Sequence, residues 1–232
     1  MKIKNLILYF ILIITNLSAF NQDYDVTVYT LGYISDYMGR RKYVSGHESD
    51  NSVDQIFHES HLNDLYRLDT LLKSCENDFD YYIRESEFDN SFYFFISDKL
   101  SDAVNEYYKF KKEGTQSSHG IIYDGKIKRL KTLKLNKRQK ISFLAGVFYS
   151  SGNIDEKGYF FKFSNSLGKD KITLRLLKRF NCIIIDRFDN RVKGMVIAPY
   201  IETVYFKPSK KIKAIFDYEI EMKKKLIEIY GS

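Results

Sequence analysis

The sequence predicts an α+β protein with short antiparallel strands and packed helices, and three observations lead to this prediction. Segments with apolar residues at helical spacing alternate with short runs of β-branched and aromatic residues. The composition is 44% hydrophobic and 29% charged, which is typical of a globular core rather than of disorder. At 232 residues, the chain can form one large domain or two small ones without disulfides or metals.

The first segment, residues 1–19, has the pattern of a secretory signal. Met1–Asn5 is basic, Leu6–Ile14 is uninterrupted and apolar, and the small residues Ser18 and Ala19 stand where a signal peptidase would cut. The apolar run is shorter than the roughly 20 residues that span a bilayer. We therefore predict a secreted or periplasmic protein with no transmembrane span in the mature chain. An uncleaved anchor and a wrongly assigned start codon are the alternatives.

Charge divides the rest of the chain into two parts. Residues 20–119 contain 10 Lys/Arg and 19 Asp/Glu, whereas residues 120–232 contain 25 and 11. We predict an acidic α+β region at 20–118 and a basic α+β domain at 119–232. A basic domain attracts a polyanion or an anionic envelope component. The alternative is that the two parts neutralise each other.

In the acidic region, β-formers such as Val26 and Val28 predict a strand at Asp25–Ile34, and leucines at helical spacing predict a helix at His61–Ser74. The remaining predictions are strands at Phe79–Ile83 and Ser91–Ile96 and a helix at Asp98–Lys112.

In the basic domain, Asp124-Gly125 predicts a hairpin between Gly120–Tyr123 and Lys126–Leu133, because this dipeptide favours two-residue turns. Asn136 is placed to cap a helix. The remaining predictions are helices at Lys137–Tyr149, Lys169–Phe180 and Ser209 to about Ile229, strands at Gly158–Ser164 and Glu202–Phe206, and a hairpin of Cys182–Arg187 with Val192–Ile197. Phe92–Ser97 resembles Tyr159–Ser164, which indicates two similar αβ repeats or a chance match of aromatic strands.

Phe143–Gly152, with the sequence FLAGVFYSSG, is the most distinctive segment. It resembles the LAGLIDADG motif of homing endonucleases, and Asp155–Tyr159 is closer to the non-cutting version in the sporulation regulator WhiA. The resemblance covers roughly residues 135–220. It implies a helix that packs against a second copy above a saddle of strands. An ordinary core helix followed by a turn is the alternative.

Two departures from that motif bear on activity. The resemblance implies a metal-binding Asp where this chain has Ser151, and Tyr149 replaces an earlier Asp. A hydroxyl cannot hold the divalent ion that phosphodiester cleavage requires. The resemblance thus implies a catalytically dead nucleic-acid-binding protein.

The sequence contains no Ser/His/Asp set, nucleotide-binding loop or carboxylate pair that stands out. We therefore predict an exported binding or interaction protein, without catalytic residues or a cofactor, whose basic domain contacts an anionic partner. The dead LAGLIDADG-like nucleic-acid binder is the second hypothesis, and an unrecognised hydrolase is the third.

Basic residues concentrate around residues 126–140 and on the two later helices. We predict an anion-binding surface that tracks phosphates, with stacking from Tyr159 and Phe161. The candidate residues are Lys126, Lys128, Lys134, Arg175, Lys178 and Arg179. A solvated strand edge, on which lysines suppress aggregation, is the alternative.

His58 and His61 are the candidate metal ligands, because their i, i+3 spacing places both on one face. His47 or Glu48 could join them, but no further ligand is evident, and surface histidines are the commoner explanation. Cys75 and Cys182 would pair if the protein is exported, or remain buried thiols.

Overall fold

A computed structural model describes residues 23–36, 39–43, 51–53, 57–58, 61–87, 89–117, 120–190 and 199–230. The helices within these ranges are α1 (Val26–Tyr33), α2 (Leu62–Ser74), α3 (Asp98–Asn105), α4 (Arg129–Leu133), α5 (Lys137–Ser151), α6 (Lys169–Arg179) and α7 (Lys210–Tyr230). The strands are β1 (Arg40–Tyr43), β2 (Phe57–His58), β3 (Tyr82–Glu85), β4 (Phe92–Ile96), β5 (Tyr108–Phe110), β6 (Thr115–Ser117), β7 (Gly120–Ile127), β8 (Gly152–Asp155), β9 (Gly158–Ser164), β10 (Ile183–Asp189) and β11 (Ile201–Lys207). The predicted signal segment and Val192–Ile197 lie outside the described residues.

The strands form three antiparallel sheets. The N-terminal sheet has the order β1-β7-β5, with β6 also paired to β7. The C-terminal sheet has the order β10-β11-β9-β8, and a small sheet has the order β2-β4-β3. The predicted α+β class with short antiparallel strands and packed helices is confirmed. Because β7 pairs with β1, β5 and β6, the N-terminal sheet spans the predicted boundary at 118/119.

A pair of helices, α1 and α5, crosses the centre of the molecule. A Cβ on Gly32 would lie 2.2 Å from the Phe143 carbonyl oxygen, and one on Gly146 would lie 2.1 Å from the Tyr29 carbonyl oxygen. The two backbones therefore touch through reciprocal glycines, a contact that only small residues permit.

The prediction of a strand at 25–34 was wrong, because this segment forms helix α1. Its residues are buried on almost every side, so the sequence shows no one-sided apolar pattern that would indicate a helix.

A buried ion pair ties α7 to α2 and α1. The Arg67 guanidinium lies 3.0 Å from the Glu219 carboxylate, and the two side chains are 2% and 0% exposed. The Tyr29 hydroxyl donates to Glu219 at 2.8 Å and accepts from Arg67 Nε at 2.9 Å. Burial, opposed by Arg67 and reinforced by Glu219, raises the pKa of Tyr29 well above its usual value, so this hydroxyl remains a donor. The three groups satisfy one another away from water.

The hairpin predicted at Asp124-Gly125 was wrong, because strand β7 runs straight through this dipeptide. A Cβ on Gly125 would lie 2.6 Å from the Phe110 ring, so that glycine serves packing rather than a turn. Residues 129–133, expected as a strand, form α4. Strand β10 pairs with β11, and the partner predicted for it, 192–197, lies outside the described residues.

Most helices of the basic domain match the predictions. Helix α5 begins with a capping box of Asn136 and Gln139, and α6 and α7 lie where apolar spacing predicted them. The predicted helix at 98–112 ends at Asn105, and β5 follows it. Cys75 and Cys182 are not joined to each other in a disulfide. No helix among the described residues is long and apolar enough to cross a bilayer.

Candidate functional site

The outer face of the N-terminal sheet is strongly basic. In the β1–β7 register Arg41 lies opposite Asp124, and in the β7–β5 register Lys126 lies opposite Lys109. Since side chains two residues apart on a strand share a face, these four residues lie on one side of the sheet. Lys111 joins them, with its ammonium 2.9 Å from the Asp124 carboxylate. We call Arg41, Lys109, Lys111 and Lys126, with Asp124, the basic face.

The basic face contains an unfavourable contact. Lys109 and Lys126 are directly opposite each other on antiparallel strands, and both are exposed. Like charges in this position destabilise a sheet. Asp124 is the carboxylate among the five residues that define the basic face, and its oxygen Oδ2 already accepts from Lys111. The face therefore carries uncompensated positive charge at a cost to the fold.

The opposite face of this sheet is buried and anchored by Arg40. Its Nη1 donates to the Val53 carbonyl at 2.7 Å, and its Nη2 donates to the Ser101 hydroxyl at 3.2 Å. Tyr108 and Ile127, paired in the register, are buried on the same side. The sheet thus packs on one face and leaves the basic face in solvent.

The C-terminal sheet presents an aromatic row on its outer face. The ring of Tyr205 lies 5.4 Å from that of Phe160 and 5.9 Å from that of Phe188, and Phe188 is 47% exposed. The Lys157 ammonium lies 5.8 Å from the centre of the Tyr205 ring, and Lys162 is exposed on the same face. We call Phe160, Tyr205 and Phe188 the aromatic row.

The structure places both stacking residues predicted from sequence on the core side of the C-terminal sheet. Phe161 is fully buried, and its ring lies 5.1 Å from that of Phe206 under the helices. Tyr159 donates its hydroxyl to Asp217 of α7, and burial together with that bond raises its pKa. Both rings face the core. On the other face of the sheet Phe188 is exposed and Phe160 is half-buried, whereas Tyr205 between them is 8% exposed.

The predicted anion-binding residues fall into separate groups. Lys126 lies on the basic face, and the Lys128 ammonium donates to the Glu106 carbonyl at 3.0 Å. Arg179 donates to the Leu133 carbonyl at 2.9 Å, which brings it next to Lys134. Arg175 and Lys178 are exposed on α6. Their role in binding an anion stays a prediction.

Arg179 also lines an open groove of about 570 Å³ at the beginnings of α5 and α7. The other residues that line it are Lys137, Lys140, Phe180, Asn181, Ser209, Lys210 and Lys211. Five basic residues in one groove make a second electropositive region.

His58 and His61 both line a cavity of about 410 Å³ with Asp64. Across the described residues, no three His, Cys, Asp or Glu side chains are grouped so that they could hold a metal ion. His47 and Glu48, the further ligands considered from sequence, lie outside the described ranges. The metal site stays a prediction without a third ligand.

The comparisons with known proteins bear on the fold. No protein-family model and no curated protein matches the chain. A solved structure of I-DmoI in a variant form, in complex with its target DNA and in the presence of manganese, is similar over 86% of this chain and 94% of that chain, with 15% identity and a TM-score of 0.44. A structure of mesophilic variants of the homing endonuclease I-DmoI is similar over 84% and 88%, with 14% identity and a TM-score of 0.42. Both similarities have TM-scores below 0.5, and the likenesses to the LAGLIDADG family and to WhiA stay predictions.

The residues that depart from the LAGLIDADG motif lie at the end of α5. Tyr149 is buried and donates its hydroxyl to the Asn63 carbonyl at 3.1 Å. Burial raises the pKa of Tyr149, so at neutral pH it contributes no charge there. Ser151 lines the 410 Å³ cavity.

Sequence reasoning missed Arg41, Lys109 and Lys111. The alternation of Lys109, Phe110 and Lys111 is a strand signal, but it was assigned to the end of a helix.

Proposed function

We propose that this protein binds duplex nucleic acid, without cutting it, on the outer faces of its N-terminal and C-terminal sheets. The observation that carries the proposal is the Lys109–Lys126 pair, two like charges directly opposite each other on an exposed sheet. A fold that keeps such a pair becomes more stable when a polyanion neutralises the two charges. Binding is also favoured because phosphates that contact lysines release their condensed counterions.

The shape of the basic face also suits a duplex. The basic face lies on a four-stranded antiparallel sheet, which is wider than the two-stranded ribbon that enters a major groove. We therefore propose that it contacts the phosphate backbone, which is the part of a duplex that fixes a protein's position. Arg41 and Lys126 lie at neighbouring positions on this sheet, so they can contact successive phosphates. The aromatic row and Lys162 supply a second contact surface.

We base the proposed lack of duplex cleavage on the sequence motif at the end of α5. Ser151 stands at the position of the metal-binding Asp of the motif that α5 resembles, and a hydroxyl is a poor ligand for a divalent ion.

Neutralising the like-charge pair, with Lys109→Ser and Lys126→Ser together, will weaken duplex binding without unfolding the protein. We expect the slope of log Kobs against log salt to become shallower by about 2, roughly 0.9 for each phosphate that is no longer neutralised. Fluorescence anisotropy of a labelled duplex across a salt series measures both affinity and slope. Because two like charges no longer face each other, thermal stability should stay the same or rise.

The matched control is Lys224→Ser with Lys225→Ser, two exposed lysines on α7. It changes the net charge equally and should leave affinity and slope near wild type. An equal loss of affinity in both variants would mean that only overall charge determines binding, and no binding of the wild type at low salt would refute the proposal.

The bound duplex should also stay intact when Mg²⁺ is added.

We retain the exported location as a separate proposal, supported by the basic and apolar pattern of residues 1–19. Asp23 accepts from Arg138, and Asp25 caps α1, so a chain that begins at Phe20 keeps both of these hydrogen bonds. N-terminal sequencing of the protein from its native host should give a start near Phe20. An intact Met1 would contradict export.

A further inference from the structure

The groove at the beginnings of α5 and α7 carries positive charge where the two helices disfavour it. Lys137 lies in the first turn of α5, and Lys210 and Lys211 lie in the first turn of α7. Neither first turn contains an acidic residue. Because the N-terminal end of a helix already carries partial positive charge, cations are unfavourable there and anions are favourable. We call this region the helix-start groove, and its charged residues are Lys137, Lys140, Arg179, Lys210 and Lys211.

The helix-start groove also offers apolar contact. Its volume is about 570 Å³, and Phe180, which is half-buried, is part of its lining. The stems of the lysines around it are apolar as well. No carboxylate is among the described residues that line the groove. A partner that combines acidic groups with an exposed aromatic ring therefore matches it in charge and in apolar contact.

The acidic part of the chain carries such a surface. Tyr82 of β3 is 56% exposed and lies opposite Ile96 in the β3–β4 register. Asp80 comes two residues before Tyr82, and its carbonyl accepts from the Ser97 hydroxyl at 2.8 Å. That hydrogen bond brings the beginning of α3, with the exposed Asp98, next to Asp80. Two carboxylates and an exposed ring thus lie close together.

The cations beside this surface neutralise it only weakly. The Lys99 ammonium lies 3.9 Å from the Asp78 carboxylate, and the two side chains are 60% and 87% exposed. An ion pair that is this exposed contributes little. The Arg84 guanidinium lies 5.5 Å from the centre of the Phe94 ring. We call Tyr82, together with Asp78, Asp80 and Asp98, the Tyr82 surface.

The helix-start groove and the Tyr82 surface do not neutralise each other within one molecule. Among the ion pairs of the described residues, none joins a charged residue of one to a charged residue of the other. Both sets of charges therefore remain available to a partner, and each set has its complement on the same chain.

We propose that the helix-start groove of one molecule binds the Tyr82 surface of a second copy. In this contact Tyr82 packs against Phe180, and the carboxylates of Asp78, Asp80 and Asp98 lie beside the lysines of the groove. Tyrosine is one of the residues that contribute most to binding at protein interfaces. Because the contact joins two different surfaces, it is head-to-tail, and further copies can add to either end.

Sedimentation velocity of the full chain, freed of nucleic acid, measures this self-association. The protein is compared at about 50 mM and about 500 mM salt, since exposed charges are screened much more strongly at the higher concentration. We expect oligomers at the lower salt and monomers at the higher. A wild-type protein that stays monomeric at the lower salt would overturn the proposal.

Reversing the charge of either surface should abolish the association. Lys210→Glu with Lys211→Glu reverses the groove, and Asp78→Lys with Asp80→Lys reverses the Tyr82 surface. We expect each variant alone to self-associate about tenfold or more weakly than the wild type, because like charges then face each other. An equimolar mixture of the two variants should associate again, since each surface then meets its opposite charge. Association that persists in either variant, or a mixture that stays monomeric, would contradict the proposed contact.

Lys224→Glu with Lys225→Glu is the matched control, because it changes the net charge equally at exposed positions later in α7. It should self-associate like the wild type, and an equal loss in this control would reject the groove as the binding surface. Lys210→Glu with Lys211→Glu places acidic residues in the first turn of α7, so its thermal stability should stay the same or rise. Its loss of association would then not result from unfolding. Because the samples contain no nucleic acid, the outcome does not depend on the proposed function.

Discussion

Replacing Glu219 with alanine is expected to lower the free energy of unfolding by about 3–5 kcal/mol, the usual cost of leaving one member of a buried ion pair alone. Arg67 would keep its charge with no carboxylate beside it. Both side chains are shielded from water, so solvent could not compensate for the lost carboxylate. The Tyr29 hydroxyl would lose its acceptor at the same time. Urea denaturation followed by circular dichroism measures the change.

Glu221→Ala is the matched control, since this glutamate lies on the same helix but is exposed. We expect it to change stability by no more than about 0.5 kcal/mol. The double variant Arg67→Met with Glu219→Leu should be more stable than Glu219→Ala, because it removes both charges and keeps apolar volume. A Glu219→Ala protein as stable as Glu221→Ala would show that the buried pair is not formed in solution.

The second large effect is expected at the helix crossing, from Gly146→Ala. Alanine in place of glycine inside a helix normally gains up to about 1 kcal/mol. Here we expect a loss of about 3 kcal/mol or more, because the new methyl would meet the Tyr29 carbonyl oxygen at 2.1 Å and the Tyr33 nitrogen at 2.8 Å. Both are backbone atoms, so the helices must separate to admit it. Gly32→Ala should behave in the same way.

Thermal denaturation of Gly146→Ala and of Ser150→Ala, an exposed position of the same helix, tests this expectation. The serine variant should match or exceed the wild type. If Gly146→Ala also gained stability, α1 and α5 would not be in backbone contact.

The helix crossing also shows where sequence reasoning reached its limit. Helix α5 was predictable, because Asn136 caps it and its apolar run has helical length. Helix α1 was not, because valine, threonine and tyrosine favour strands and the helix is buried on nearly every side. Asp25 is the signal that could have identified it, since its carboxylate caps α1 by accepting from the Val28 N–H.

The candidate site was only partly predictable for a similar reason. Lys126 stood out in a basic run, but its neighbours Arg41 and Lys109 come from the part of the chain that is acidic overall. Counting charge along the sequence hid a basic surface that strand pairing assembles from both parts.

The central claim is that the basic face holds a duplex, and lysine labelling tests it most directly. An amine-reactive reagent is applied with and without duplex DNA at low salt, and modification is read by mass spectrometry. We expect duplex to protect Lys109 and Lys126 and to leave Lys224 and Lys225 as reactive as before. Unchanged labelling of Lys109 and Lys126 in a protein that is saturated with duplex would contradict the claim.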